Sequence, residues 1–123
     1  MPITDSASQP TPARKIELKD FMEKNFRNDM SMSEFAQASG RSLSTFKRDF
    51  KKFSELSPER WLTARRLTAA YDLLRRRRRV TDVCFDVGFK NVSHFSAAFK
   101  RKFGITPGDV RNQKFATDSQ NQA

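Results

Sequence analysis

Cysteine and histidine are almost absent from this chain: Cys84 and His94 occur once each. A lone cysteine excludes an intramolecular disulfide, and one cysteine with one histidine is too few for a Cys/His zinc site. The chain is therefore read as intracellular, with no metal and no other cofactor. Long apolar runs are missing as well. None reaches the roughly 18 residues that span a bilayer, and Met1 to Lys15 lacks the apolar stretch of a signal peptide. No membrane association is expected, and the cytoplasm is the default compartment. No nucleophile, base and orienting acid coincide, and no glycine-rich phosphate cradle occurs, so an enzyme is not expected. Negative charge is scarce too, with 14 Asp+Glu against 24 Lys+Arg and a formal net charge of +10. That excess favours a polyanionic partner, either nucleic acid or an anionic surface.

A chain of 123 residues has room for one ordinary domain with its own core. Residues 1–13 hold Pro2, Pro10 and Pro12 among Ser and Thr, with few apolar side chains, and read as a disordered leader or linker. Residues 116–123 read as a disordered tail. The ordered part is expected over 14–115.

Within it apolar residues recur at spacings of three and four, as in Leu18, Phe21, Met22 and Phe26, and no stretch alternates with period two. The fold class is all-α. Ser31 with Glu34 forms a capping box, Ser57 and Thr106 stand before Pro58 and Pro107 at first helical positions, and Asp109 completes a similar box after Thr106. Gly40, Gly88 and Gly104 follow short apolar-periodic stretches, where a left-handed residue ends a helix. Seven helices are expected, at Ile16 to Phe26, Met32 to Ser39, Leu43 to Phe53, Pro58 to Arg76, Val80 to Val87, Val92 to Phe103 and Pro107 to Asn112.

A repeat runs through this series. Glu34, Phe35, Ala36 and Gly40 match Asp82, Val83, Cys84 and Gly88; Phe46, Phe50, Lys51 and Lys52 match Phe95, Phe99, Lys100 and Arg101. Leu56, Ser57 and Pro58 match Ile105, Thr106 and Pro107. A short helix, a glycine turn and a longer basic helix thus occur twice, over about 31–53 and about 80–103, joined by a long helix over about 58–76. In such a helix-turn-helix the first helix braces the second, whose exposed face enters the major groove of double-stranded DNA. Phe46, Phe50 and Phe53 make an inward stripe, leaving Ser44, Thr45, Lys47, Arg48 and Lys51 outward. Arg48 can hold guanine O6 and N7 with two donors, and Lys47 can reach the same edge or a phosphate; a solvated basic face is the bland alternative.

In the second unit Phe95, Phe99 and Phe103 point inward, and Val92, Ser93, His94, Ser96 and Ala97 remain for the groove. Val92 and Ala97 can touch a thymine methyl and Ser93 can bond a base or a phosphate, but none makes a bidentate contact, so this unit is expected to read weakly. His94 is open between a phosphate or base donor and simple packing on the helix surface. The connecting helix, with Trp61, Leu62, Leu67, Ala70, Tyr71 and Leu74 on its buried face, runs about 30 Å, a length suited to two reading helices about 34 Å apart on successive major-groove segments. The run Arg75 to Arg79 has two readings, a solvated helix end complementing the helix dipole or a cluster of phosphate contacts. The phosphate-contacting candidates are Ser42, Thr45, Lys51, Lys52, Arg77, Lys90, Asn91, His94, Ser96, Lys100 and Arg101, with Lys102 a further cation.

Gly88-Phe89, Ser93-His94-Phe95-Ser96, Phe99-Lys100 and Phe103-Gly104-Ile105-Thr106-Pro107 resemble the signature of AraC/XylS-type transcription regulators. The earlier unit fits as well, at Ser31 to Ala36, Gly40, Ser42, Phe46, Arg48 and Phe50-Lys51, and the resemblance covers about Ile16 to Arg111. It implies a seven-helix C-terminal DNA-binding domain, built of two homeodomain-like three-helix subdomains, in a bacterial regulator acting at the nucleoid. It further implies an attached effector or dimerisation domain and an activator that contacts RNA polymerase. By position it puts base contacts on Ser44, Lys47 and Arg48 in the first unit and on Val92, Ser93 and Ala97 in the second.

Three residues depart from the family pattern. Ala97 stands where arginine is frequent, Glu55 replaces a glycine, and Arg79 occupies a position where a Ser, Thr or Asp cap is expected. Glu55 would sit awkwardly in a left-handed conformation, so its turn is expected to close differently. Two other functions compete with sequence-specific transcription regulation: a helical protein-interaction module with an incidental basic face, and a nonspecific nucleic-acid binder.

Overall fold

The computed structural model describes residues 16–113; the leader and tail expected at 1–13 and 116–123 lie outside them. Among the described residues there are seven helices and no strand: α1 (Leu18–Asn25), α2 (Met32–Ala38), α3 (Leu43–Phe50), α4 (Pro58–Arg75), α5 (Val80–Asp86), α6 (Val92–Phe103) and α7 (Pro107–Asn112). The described residues form two compact units that divide between Leu62 and Thr63, inside α4.

Helix starts follow local chemistry. The Ser31 hydroxyl accepts from the Glu34 N–H at 3.1 Å while the Glu34 carboxylate accepts from the Ser31 N–H at 2.8 Å, closing the box expected for α2. Thr106 and Asp109 close the same box on α7, with Pro107 in the first turn. Ser57 caps α4 by accepting from the Arg60 N–H at 3.2 Å. Arg79 precedes α5 with extended backbone and contributes no side-chain cap, as its residue type leads one to expect.

Helix ends show the repeat at atomic level. Gly40 and Gly88 are left-handed, at φ of 83° and 110°. Each carries the same pair of closing bonds: Gly40 N–H to Gln37 O and Arg41 N–H to Ala36 O, then Gly88 N–H to Phe85 O and Phe89 N–H to Cys84 O. This is the two-bond Schellman closure, which needs a left-handed residue and so suits glycine. After α4 the same closure forms without one: Arg77 N–H donates to Leu74 O, Arg78 N–H to Leu73 O, and Arg77 stands at φ 69°.

Five helices stop short of the expected limits, α2, α4 and α5 by one residue and α1 and α3 by three. Lys51 to Phe53 lie in a turn, not in α3, because the Lys52 and Phe53 N–H groups bond back only three residues, to Asp49 O and Phe50 O. Glu55 is not left-handed, since among the described residues Arg77 is the one non-glycine at positive φ. The turn closes instead through the Ser54 hydroxyl, which accepts from the Leu56 N–H at 3.0 Å. Ile16 precedes α1 and bonds through its N–H to Ser39 O at 3.2 Å.

Each unit buries its own aromatic cluster. In the first, Phe35, Phe46, Phe50 and Met22 are fully buried, with Phe21 edge-on to Phe35 and Phe50 edge-on to Trp61. Phe53, although outside α3, stays in this cluster at 4.3 Å from Phe50. In the second, Leu67, Ala70 and Leu74 of α4 join Val83, Cys84, Phe95, Phe99 and Val110. Cys84 is wholly buried, and desolvation pushes its thiol above the ordinary value. Placing such aromatics at spacings of three and four removes roughly 1.5–3 kcal/mol worth of apolar surface from water per side chain.

The uncapped start of α5 gives a test. Arg79→Ser supplies an acceptor for the first turn and is expected to raise unfolding stability by about 1 kcal/mol, measured by urea denaturation. An unchanged midpoint would show that the exposed N–H groups of that turn are already satisfied by water.

Candidate nucleic-acid interface

The outward face of α3 is set by what its inward face buries. Phe46, Asp49 and Phe50 are buried, so Ser44, Lys47 and Arg48 share the exposed side at spacings of three and four, with Lys51 following in the turn. Ser42 caps the helix: its hydroxyl accepts from the Thr45 N–H at 3.2 Å and donates to the Thr45 hydroxyl at 3.1 Å. Thr45 is half-buried. Both hydroxyls, expected at phosphates, are therefore engaged in the cap, which places the helix start; Ser42 spends its proton on Thr45, whose own O–H can still donate.

In α6 the cap is Asn91, whose side-chain oxygen accepts from the His94 N–H at 2.8 Å. Phe95, Ala98 and Phe99 are buried. Ser93 and Ala97 are exposed one turn apart, and Ser96 is half-buried. Val92, expected to touch a base methyl, is half-buried and packs against the core cluster, so only part of its surface faces outward. His94 is exposed, and its ring sits edge-on to Phe89 at 5.7 Å. Lys90, Lys100 and Arg101 are exposed. The α6 reading side thus offers one hydroxyl and one methyl where α3 offers an ammonium and a guanidinium.

The arginine run divides by partner. Arg76 pairs with Asp72 at 3.1 Å and Arg78 with Asp86 at 3.0 Å, and the Arg78 carbonyl accepts from Arg111 at 3.2 Å. Arg75, Arg77 and Arg79 are exposed and form no ion pair among the described residues. Two of the five guanidiniums brace the helix end, and three remain for an external anion.

One feature of the first unit went unread in the sequence. Asp49 sits at the buried phase of α3 between Phe46 and Phe50, and its Oδ2 accepts from Arg41 Nε at 2.9 Å. Both side chains are nearly inaccessible, at 8% and 10%. Arg41 also donates to Ile16 O at 2.9 Å and Ser39 O at 3.0 Å. The outer oxygen, Oδ1, lies 3.5 Å from Lys52 Nζ and 3.9 Å from Arg48 Nε. An acid at a core phase of an amphipathic helix signals a buried cation partner, and that signal was present at Asp49.

Among the described residues no group of three His, Cys, Asp or Glu side chains could hold a metal, and no helix is long and apolar enough to cross a membrane.

A family model described as a helix-turn-helix domain matches residues 35–113. The chain is 36% identical over 101 residues to the virulence regulon transcriptional activator VirF of Yersinia enterocolitica, covering 81% of this chain and 37% of that protein. It therefore spans little more than a third of that relative's length. A crystal structure of an AraC-type transcriptional regulator from Chromobacterium violaceum superposes with a TM-score of 0.68 at 28% identity, covering 80% of this chain and 88% of that one. The DNA-binding domain of AdpA, solved in complex with a target DNA, shares the fold with a TM-score of 0.75 at 23% identity, covering 85% and 95%.

Arg77 combines an unpartnered guanidinium with a left-handed backbone. Arg77→Gly relieves a conformational cost of roughly 1–2 kcal/mol against the entropy that glycine adds to the unfolded chain. It is expected to raise stability by about 0.5 kcal/mol and yet to weaken binding of any duplex, lowering the salt dependence by about one phosphate contact. Binding unchanged between low and moderate salt would remove Arg77 from the interface.

Proposed function

This chain belongs to the AraC-type helix-turn-helix family, a family of DNA-binding transcription regulators and not of enzymes, and from that membership we propose how it reads its DNA. The carrying observation is the exposed face Ser44, Lys47 and Arg48, held outward because Phe46 and Phe50 are locked inward. An arginine on a helix in the major groove satisfies guanine O6 and N7 together, and one such bidentate contact contributes about 1–3 kcal/mol of discrimination against other bases. Lys47, one residue earlier, reaches a neighbouring base edge or a phosphate. Ser93, Ala97 and the outward part of Val92 provide hydroxyl and methyl contacts in the second unit, which positions more than it specifies.

Backbone affinity comes from the exposed cations. Lys51, Lys52, Arg77, Lys90, Lys100 and Arg101, with the hydroxyl and amide groups of Ser42, Thr45, Asn91 and Ser96 and the His94 ring, are the proposed phosphate contacts. They release counterions on binding and make affinity steeply salt-dependent. One reading helix per unit implies a bipartite site, with two blocks of base preference.

The wider role follows the relatives. VirF carries the name of a transcriptional activator, and we extend activation to this chain, with RNA polymerase as a partner and an effector or dimerisation domain belonging to the same regulator. The proposed site of action is the bacterial cytoplasm, at the nucleoid.

Selection of bound sites from a random duplex pool, followed by affinity measurement, tests the proposal. Arg48→Ala is expected to cost about 1–3 kcal/mol on the selected site and to relax preference at one base pair. Lys100→Ala is expected to weaken all sequences alike. Absence of any selected motif would favour a nonspecific nucleic-acid binder, and absence of duplex binding a protein-interaction module.

A further inference from the structure

The Arg41–Asp49 pair is not demanded by the fold. Taking Gly40 with Gly88 and Phe46 and Phe50 with Phe95 and Phe99 as equivalents, Arg41 corresponds to Phe89 and Asp49 to Ala98. Those two are buried apolar side chains, 6% and 5% exposed. The same helix-turn-helix therefore closes around an aromatic ring in one unit and around an ion pair in the other. Buried ion pairs rarely exceed apolar packing in stability, because desolvation offsets their attraction. Extra stability is thus a poor explanation for the charges in the first unit.

Geometry supplies a better one. Arg41 is fixed to the frame of its unit by two backbone carbonyls, Ile16 O and Ser39 O. Its remaining bond, 2.9 Å from Nε to Asp49 Oδ2, grips α3 between the two locked phenylalanines. A charge-assisted hydrogen bond of that length is directional, so it adds a fixed point to the rotational phase that the two phenylalanines set. The other oxygen, Oδ1, faces the exposed cations Arg48 at 3.9 Å and Lys52 at 3.5 Å. A carboxylate there restrains two long side chains before DNA arrives, and its negative charge disfavours phosphates close to Arg48. Both effects direct the guanidinium to a base edge instead of the backbone.

We propose that Arg41 and Asp49 are positioning residues that set the base preference of the first reading helix without touching DNA. This rests on the base-reading role of Arg48 proposed above.

The test compares affinity for the selected site with affinity for an unrelated duplex at one salt concentration, together with thermal melting. Asp49→Asn keeps the shape and an acceptor for Arg41 but removes the charge. It is expected to tighten binding to the unrelated duplex and to lower the specific-to-nonspecific ratio about tenfold, within the range one bidentate base contact controls. A second variant, Arg41→Phe with Asp49→Ala, copies the second unit's own solution and is expected to melt cooperatively with the ratio similarly reduced. If either folded variant keeps the wild-type ratio, or if both affinities fall in proportion with the melting temperature, the pair is only structural and the proposal is overturned. A wild-type chain that shows no preference at all overturns the base-reading role itself, a result separate from the variants.

Discussion

The interaction on which the rest depends is the packing of two phenylalanines, four residues apart, beneath each reading helix. Phe46 and Phe50 lie 5.5 Å apart and Phe95 and Phe99 5.8 Å, all fully buried. Residues four apart occupy one stripe of a helix, so burying both fixes its rotational phase. A slip of one residue turns the helix by about 100° and carries a large ring into water. That penalty makes the outward set definite: Ser44, Lys47 and Arg48 in one unit, Ser93 and Ala97 in the other. What can be read from a nucleic acid is thus decided by residues that never meet it.

Around each pair the turn does the complementary work. Gly40 and Gly88 close α2 and α5 with identical bonding, which brings the following helix back across the preceding one within a few residues. The caps Ser42 and Asn91 then start α3 and α6 at defined positions. Each side chain satisfies one first-turn N–H, of Thr45 and of His94, so the helix ends that would approach a phosphate are already organised. Cap, turn and aromatic pair agree in both repeats, and local and tertiary preferences are not in conflict.

How much of this was legible follows from how local each signal is. Helix starts were readable because a cap and a proline act within three residues, as at Ser31, Ser57 and Thr106. Helix ends were readable where a glycine marked them, and at Asn112 without one, but not at the end of α3. Nothing in Lys51 to Phe53 announces that α3 has ended, and the left-handed Arg77 lies in a run of five identical side chains. The outward residues were readable because phenylalanine spacing reports the buried phase. The Arg41–Asp49 pair was missed because its partners are eight residues apart and meet only when the turn folds. Asp49 alone, at a core phase, was the visible trace of it. The partnering within Arg75 to Arg79 was likewise out of reach, since it depends on Asp72 and Asp86 from different helices.

The two units therefore differ less in architecture than in where they keep their charge. In the first, cations surround one buried carboxylate: Arg41 inside, Arg48 and Lys52 outside. In the second, the equivalent interior is apolar, and its cations sit at Lys100 and Arg101 on α6 and along Arg75, Arg77 and Arg79. Charges held by an internal acid are restricted in direction, which is what discrimination between bases requires. Unpartnered charges are free to follow a phosphate wherever the backbone runs, which gives affinity without choice. One repeat copied twice can in this way divide the labour of recognition. On the proposal made for Arg41 and Asp49, the division is made by an acid in one core and its absence from the other, with the reading helices themselves nearly alike in build.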